Sequence, residues 1–85
     1  MRLAGQVAII TGAAGGQGAA EARLLVEQGA QVVAGDIGDD AGEALAKELG
    51  DGAIYHHLDV CSEDDWRSAV AAATAAFGKV TALVN

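Results

Sequence analysis

At 85 residues and 8.4 kDa the chain has room for a single domain. Alanine supplies 20 of its 44 apolar residues and the only aromatics are Tyr55, Trp66 and Phe77, so any core is thin and the chain alone should be marginally stable. Five Lys and Arg against twelve Asp and Glu give a net charge of −7 with the basic residues far apart, which argues against a nucleic-acid partner.

One cysteine, Cys61, rules out an internal disulfide and fits a reducing, cytoplasmic setting. The uncharged stretch from Leu3 to Ala20 holds five glycines, two glutamines and a threonine, too polar for a membrane span. Its apolar run, Val7 to Ile10, is too short for a signal peptide.

Strand and helix signals alternate along the chain. Gln6 to Thr11 reads as a first strand, followed by a glycine-rich turn and a helix over Gly16 to Gln28. Gln31 to Asp36 is a second strand and Asp40 to Leu49 a second helix. Ala53 to Asp59 is a third strand, Ser62 to Phe77 a third helix and Thr81 to Asn85 a fourth strand. The strands show little polar alternation, as expected when both faces of a parallel sheet are covered. In the third helix Trp66, Val70, Ala73 and Phe77 form an apolar stripe. Ser62 and Asp65 resemble a capping box, and Gly78 suits a left-handed helix end.

With no proline, repeat or linker to divide it, the chain reads as α/β: the β-α-β-α-β-α-β part of a Rossmann-type doubly wound parallel sheet in the order 3-2-1-4. Such domains continue beyond a fourth strand. Residues 1–85 are therefore expected to be the N-terminal part of one nucleotide-binding domain in a longer protein.

The turn Thr11-Gly12-Ala13-Ala14-Gly15-Gly16-Gln17-Gly18 leaves the first strand and opens the first helix. In that context Gly12 makes the tight turn, Gly16 lets backbone approach a ligand, and Gly18 lets helix and sheet lie close. Free N–H groups and the positive end of the helix dipole then converge, which suits a pyrophosphate. By itself the run could be a flexible loop. Asp36, at the end of the second strand and 18 residues beyond Gly18, adds an acceptor for ribose hydroxyls, although alone it could be a plain turn residue. A carboxylate there repels the 2′-phosphate of NADP, and Gly15, Ile37 and Gly38 supply no cation to offset it, so NAD is the expected cofactor.

These residues together resemble the short-chain dehydrogenase/reductase family. The resemblance spans all 85 residues and rests on four motifs: Thr11, Gly12, Gly16 and Gly18; Asp36-Ile37; Leu58-Asp59-Val60; and Leu83-Val84-Asn85. Within the family, Gly50 to Val60 with Asp65-Trp66 is similar to the bacterial 3α/20β-hydroxysteroid dehydrogenase subgroup. Gln17 replaces a usually apolar residue, and Cys61 stands where Thr is common. Gly12, Gly15 and Gly18 also fit the spacing of the family's extended branch, but the later motifs point to the branch that oxidises alcohols.

The resemblance implies that the turn residues Gly12, Gly15, Gly16, Gln17 and Gly18 hold the cofactor together with Asp36 and Ile37. It implies that Asp59 meets the adenine amino group, that Val60 backbone meets the adenine ring, and that Asn85 lies beside the cofactor. Each of the last three has a plainer alternative: a cap of the third helix, a core residue and a chain end. The resemblance also implies a homotetrameric parent enzyme acting on a small alcohol or ketone, with the subgroup similarity pointing to a steroid-like one.

The family's catalytic Ser and Tyr-x-x-x-Lys have no counterpart: the single tyrosine, Tyr55, is followed four residues later by Asp59. No catalytic residue is therefore assigned. His56 and His57, adjacent in a strand, point to opposite faces and cannot chelate one metal together. The expected function is the cofactor-binding portion of an NAD-dependent short-chain oxidoreductase. The alternative is a free-standing dinucleotide-binding module without chemistry.

Overall fold

A computed structural model describes residues 2–85. The elements in chain order are β1 (Val7–Thr11), α1 (Gly16–Glu27), β2 (Gln31–Asp36), α2 (Asp39–Leu49), a short 3-10 turn (Gly50–Gly52), β3 (Ala53–His57), α3 (Glu63–Phe77) and β4 (Ala82–Val84). All four strands form one parallel sheet in the order β3-β2-β1-β4, which matches the expected topology. The fold is Rossmann-like.

Alternation along the buried strands sends side chains to two cores. Ala8, Ile10, Val32 and Ala34 face α1 and α2, where Ala19, Ala22 and Leu45 cover them. Val7, Ile9 and Val33 face α3 with Ala69 and Ala73. Among the described residues, nine of the sixteen buried apolar ones are alanine, so helices lie close to the sheet and few large side chains separate the layers. The big contributions come from Val7, Ile9, Ile10, Val32 and Val33, all but fully buried and each worth about 1.5–3 kcal/mol on burial.

Local differences from the sequence reading have physical causes. The stripe of α3 runs through Ala69, not Val70, which is 42% exposed; the small residues Ala69 and Ala73 form the close contact with the sheet. Ser62 caps α3 by accepting the Asp65 N–H, but the Asp65 carboxylate reaches past Ser62 to the Asp59 N–H. β3 ends at His57 rather than Asp59, whose N–H and Oδ1 are used in the turn before α3. Gly78 does adopt the left-handed conformation, with φ of 87°. At the sheet edge, Thr81 exchanges bonds with Val7 through both backbone and hydroxyl before β4 begins. Among the described residues no helix is long and apolar enough to cross a membrane.

Candidate functional site

The C-terminal ends of β1, β2 and β3 open into a crevice of about 180 Å³ lined by Gly12, Asp36, Ile37, Leu58, Asp59 and Val60. A larger cleft of about 400 Å³, lined by Arg2, Leu3, Leu24, Leu25 and Gln28, lies against the other end of the molecule at the C-terminal turn of α1. No helix N-terminus points there. Open parallel sheets present ligand-binding groups at the carboxyl ends of their strands, so the smaller crevice is the candidate site.

Its first wall is the glycine turn. Gly12 leaves β1 with φ of 65°, a conformation that glycine adopts freely, and its carbonyl accepts the Gly15 N–H at 3.2 Å. A side-chain carbon at Gly18 would lie 2.3 Å from that same carbonyl oxygen, so α1 can start this close to the turn only because residue 18 is glycine. At Gly16, by contrast, an added carbon meets nothing within 4 Å. The α1 N-terminus has neither a side-chain cap nor an acidic residue in its first turn. The first turns of α2 and α3 carry Asp39 and Asp40, and Glu63, Asp64 and Asp65, respectively. Thus α1, like α2, starts without a side-chain cap, but of the three helices only α1 has no carboxylate in its first turn to offset its positive dipole end, an arrangement that fits an anion.

Asp36 forms the second wall and does more than end β2. Its Oδ2 accepts the Ala14 N–H of the glycine turn and its Oδ1 accepts the Gly38 N–H, both at 2.9 Å. The carboxylate therefore ties the turn to the loop before α2. The Gly38 N–H is the main reason its pKa lies below the ordinary carboxylate value; partial burial opposes the shift and the Ala14 and Ile37 N–H groups reinforce it. Each carboxylate oxygen retains a lone pair, so two further donors such as vicinal hydroxyls can be accepted.

The third wall is the turn after β3. Asp59 uses Oδ1 to accept the Cys61 N–H, while its own N–H donates to Asp65. Ser62 is the cap of α3, so capping is not the role of Asp59. Val60 is 50% exposed and Ile37 67% exposed, which excludes a core role for Val60 and gives the crevice two apolar lining residues. The Trp66 indole N–H donates to the Val60 carbonyl at 2.9 Å and holds that turn against α3.

Asn85 follows β4, and its Oδ1 lies 2.8 Å from the Thr11 hydroxyl at the end of β1. It therefore sits beside the glycine turn, on the β4 side of β1. Gly15 is the N-cap of α1, and Gly16 and Gln17 are exposed in its first turn. The structure thus brings the glycine turn, Asp36, Ile37, Asp59 and Val60 around one end of the sheet. Sequence reasoning missed the supporting bonds: those of the Ala14 and Gly38 N–H groups to Asp36, of the Thr11 hydroxyl to Asn85, and of the Trp66 indole to Val60. A short side chain two residues before a glycine, as in Asp36-Ile37-Gly38, could have suggested the Gly38 bond.

The two histidines diverge as expected. His56 meets Ser68 of α3 through Nε2, whereas His57 meets Asp39 of α2 through Nδ1 at 2.7 Å. Among the described residues no group of three or more His, Cys, Asp or Glu is arranged to hold a metal.

Residues 6–85 match the family model of the short chain dehydrogenases. The 3-alpha-(or 20-beta)-hydroxysteroid dehydrogenase of Mycobacterium tuberculosis is 50% identical over 84 residues, which are 99% of this chain and 32% of that protein. Tropinone reductase-like 1 of Erythroxylum coca is also 50% identical over 84 residues, with 99% of this chain and 31% of that protein covered. Among solved structures, 3-ketoacyl-(acyl-carrier-protein) reductase from Brucella melitensis, complexed with NADH, superimposes with a TM-score of 0.91 at 42% identity, covering 95% of this chain and 34% of that one. The chain spans about a third of the length of the curated relatives it matches.

Proposed function

The chain belongs to the short-chain dehydrogenase family, and from that premise we propose that its 85 residues are the cofactor-binding portion of a longer NAD-dependent oxidoreductase. The parent enzyme transfers hydride between NAD(H) and a secondary alcohol or the matching ketone. The observation that carries the reading is the pairing of the bare α1 N-terminus with the Asp36 carboxylate, held together by the Ala14 N–H.

In this reading the N–H groups of Gly16, Gln17 and Gly18, with Gly12 and Gly15 shaping the turn, hold the pyrophosphate. Asp36 accepts the adenosine ribose hydroxyls, with Ile37 beside it. The adenine lies between Ile37 and Val60, with its amino group at Asp59, and Asn85 borders the nicotinamide half. When bound, the nicotinamide ring supplies the hydride acceptor or donor; the residues of this chain bind and orient the cofactor and take no proton.

NAD is favoured over NADP because an ionised Asp36 faces the ribose and none of the six residues lining the crevice is Lys or Arg. A steroid-like substrate is supported by the 50% identity to a hydroxysteroid dehydrogenase. A cytoplasmic homotetramer is supported by the family resemblance and, for the compartment, by the lone cysteine.

The test uses the full-length protein. NADH formation from NAD and hydroxysteroids, together with NADH binding lost on Gly16→Val, supports the reading. A folded full-length protein that binds neither NADH nor NAD refutes it.

A further inference from the structure

Tyr55 is the only tyrosine, and its hydroxyl points to the strand end that carries Asp36. On β3 it pairs with Ala34, two residues before Asp36, so Tyr55 and Asp36 lie on the same face of the sheet. The ring is wedged between the sheet and α2. An added carbon at Gly42 of α2 would lie 2.0 Å from the Tyr55 Cε1 and 2.2 Å from its Cδ1, so the helix comes this near only because residue 42 is glycine. Held in that slot, the hydroxyl donates to the Asp36 carbonyl, 2.6 Å away, or to the Asp39 carboxylate, 2.5 Å away.

The Asp36 carbonyl also accepts the Leu58 N–H at 2.9 Å. Its main chain is therefore held by the Leu58 N–H just after β3 and, from within β3, by the Tyr55 hydroxyl, whose one proton it shares with Asp39, while its side chain is fixed by the Ala14 and Gly38 N–H groups. Burial and the Asp39 carboxylate both raise the Tyr55 pKa, so the hydroxyl keeps its proton and remains a donor.

We propose that Tyr55 is a positioning residue for the cofactor, a strut from β3 that sets the Asp36 carboxylate at the height where it meets the adenosine ribose. The inference rests on the nucleotide-binding reading of Asp36 given above. Tyr55 touches no part of the cofactor itself. Its effect is confined to ligands that carry the adenosine ribose, and it passes through Asp36.

The experiment is a double-mutant cycle in the full-length protein, comparing wild type, Tyr55→Phe, Asp36→Ala and the double variant by NADH fluorescence titration and by displacement with ADP-ribose. Phenylalanine keeps the ring over Gly42 and removes only the hydroxyl. One lost hydrogen bond of ordinary strength should weaken NADH and ADP-ribose equally, by about threefold to tenfold. The KM for NAD should rise by a similar factor while kcat at saturating NAD stays as in wild type. In the Asp36→Ala background, adding Tyr55→Phe should change nothing further, because the strut then has no carboxylate to set.

Three results overturn the proposal while leaving the nucleotide-binding reading in place: unchanged NADH affinity in a folded Tyr55→Phe variant, additive losses in the double variant, or failure of Tyr55→Phe to fold, which makes the residue purely structural. If Asp36→Ala itself leaves NADH and ADP-ribose binding unchanged, the ribose reading of Asp36 fails and the proposal fails with it.

Discussion

Gly18 and Gly16 lie two residues apart in one turn, yet substituting them should have opposite signatures. At Gly18 a methyl carbon would sit 2.3 Å from the Gly12 oxygen, 2.8 Å from the Gly12 carbonyl carbon and 3.0 Å from the Ala13 Cα. All three are backbone atoms of a turn already closed by the Gly15 N–H and held at positive φ, so relief requires the turn to move by roughly 1 Å, an overpacking cost of about 1–3 kcal/mol. Better helix propensity offsets at most ~1 kcal/mol of that. For a protein of the relatives' length, each net kcal/mol lowers Tm by roughly 2–4 °C. Gly18→Ala in the full-length protein should therefore melt earlier than wild type without any ligand.

At Gly16 the added atoms enter open space on an exposed turn, so Gly16→Val should melt close to wild type. The difference appears on adding NADH. Bound ligand raises wild-type Tm in proportion to the logarithm of its concentration over Kd, and Gly16→Val should lose most of that rise because its side chain fills the space in front of the α1 N–H groups. Thermal melts with and without NADH test both statements. A Gly18→Ala variant as stable as wild type, or a Gly16→Val variant with a full NADH-induced rise, refutes the reasoning about the turn.

Two further outcomes are expected. The bond to Asp39 is the largest cause of a raised His57 pKa, with Asp65 and Asp59 adding to it; the folded state thus binds the His57 proton more tightly. That contribution is complete below the unfolded value of about 6.5 and is lost as pH rises through the higher folded value. Wild-type Tm should accordingly decline over this interval more than that of His57→Gln, and parallel Tm–pH profiles would contradict the assignment. Trp66→Phe removes the indole bond to the Val60 carbonyl but keeps an aromatic ring, and should weaken NADH binding by about twofold to tenfold. An unchanged titration curve would mean that Trp66 does not hold the adenine side of the crevice.

Strand order and the placement of the glycine turn were legible in the sequence because parallel strands buried on both faces read as unbroken Val, Ile and Ala runs. Gly12 and Gly18 were legible because local geometry asks for glycine at each: a φ of 65° at Gly12 and an added carbon striking the Gly12 carbonyl at Gly18. The bonds behind the crevice were not. The link from Ala14 to Asp36 joins residues 22 apart through a backbone N–H, which leaves no mark on residue type. Nor does periodicity choose between Val70 and Ala69, since both lie within one turn of Trp66; the distance between α3 and the sheet decides it. Tyr55 invited comparison with a catalytic tyrosine and was set aside, whereas its partner Gly42 marks where the ring lies.

Cofactor preference tests the central claim most directly, because it depends on Asp36 being ionised, at the ribose and without a nearby cation. The lowered pKa keeps the carboxylate charged at neutral pH. A charge-assisted bond to a ribose hydroxyl is worth about 1.5–3 kcal/mol, and NADP would lose at least one such bond while adding a phosphate of nearly two negative charges. The measurement is kcat/KM with NAD and with NADP for the full-length protein and for Asp36→Ala. The account predicts that wild type favours NAD by at least roughly tenfold and that Asp36→Ala lowers NAD use and raises NADP use. Equal use of the two cofactors by wild type, or an unchanged ratio in Asp36→Ala, would contradict it.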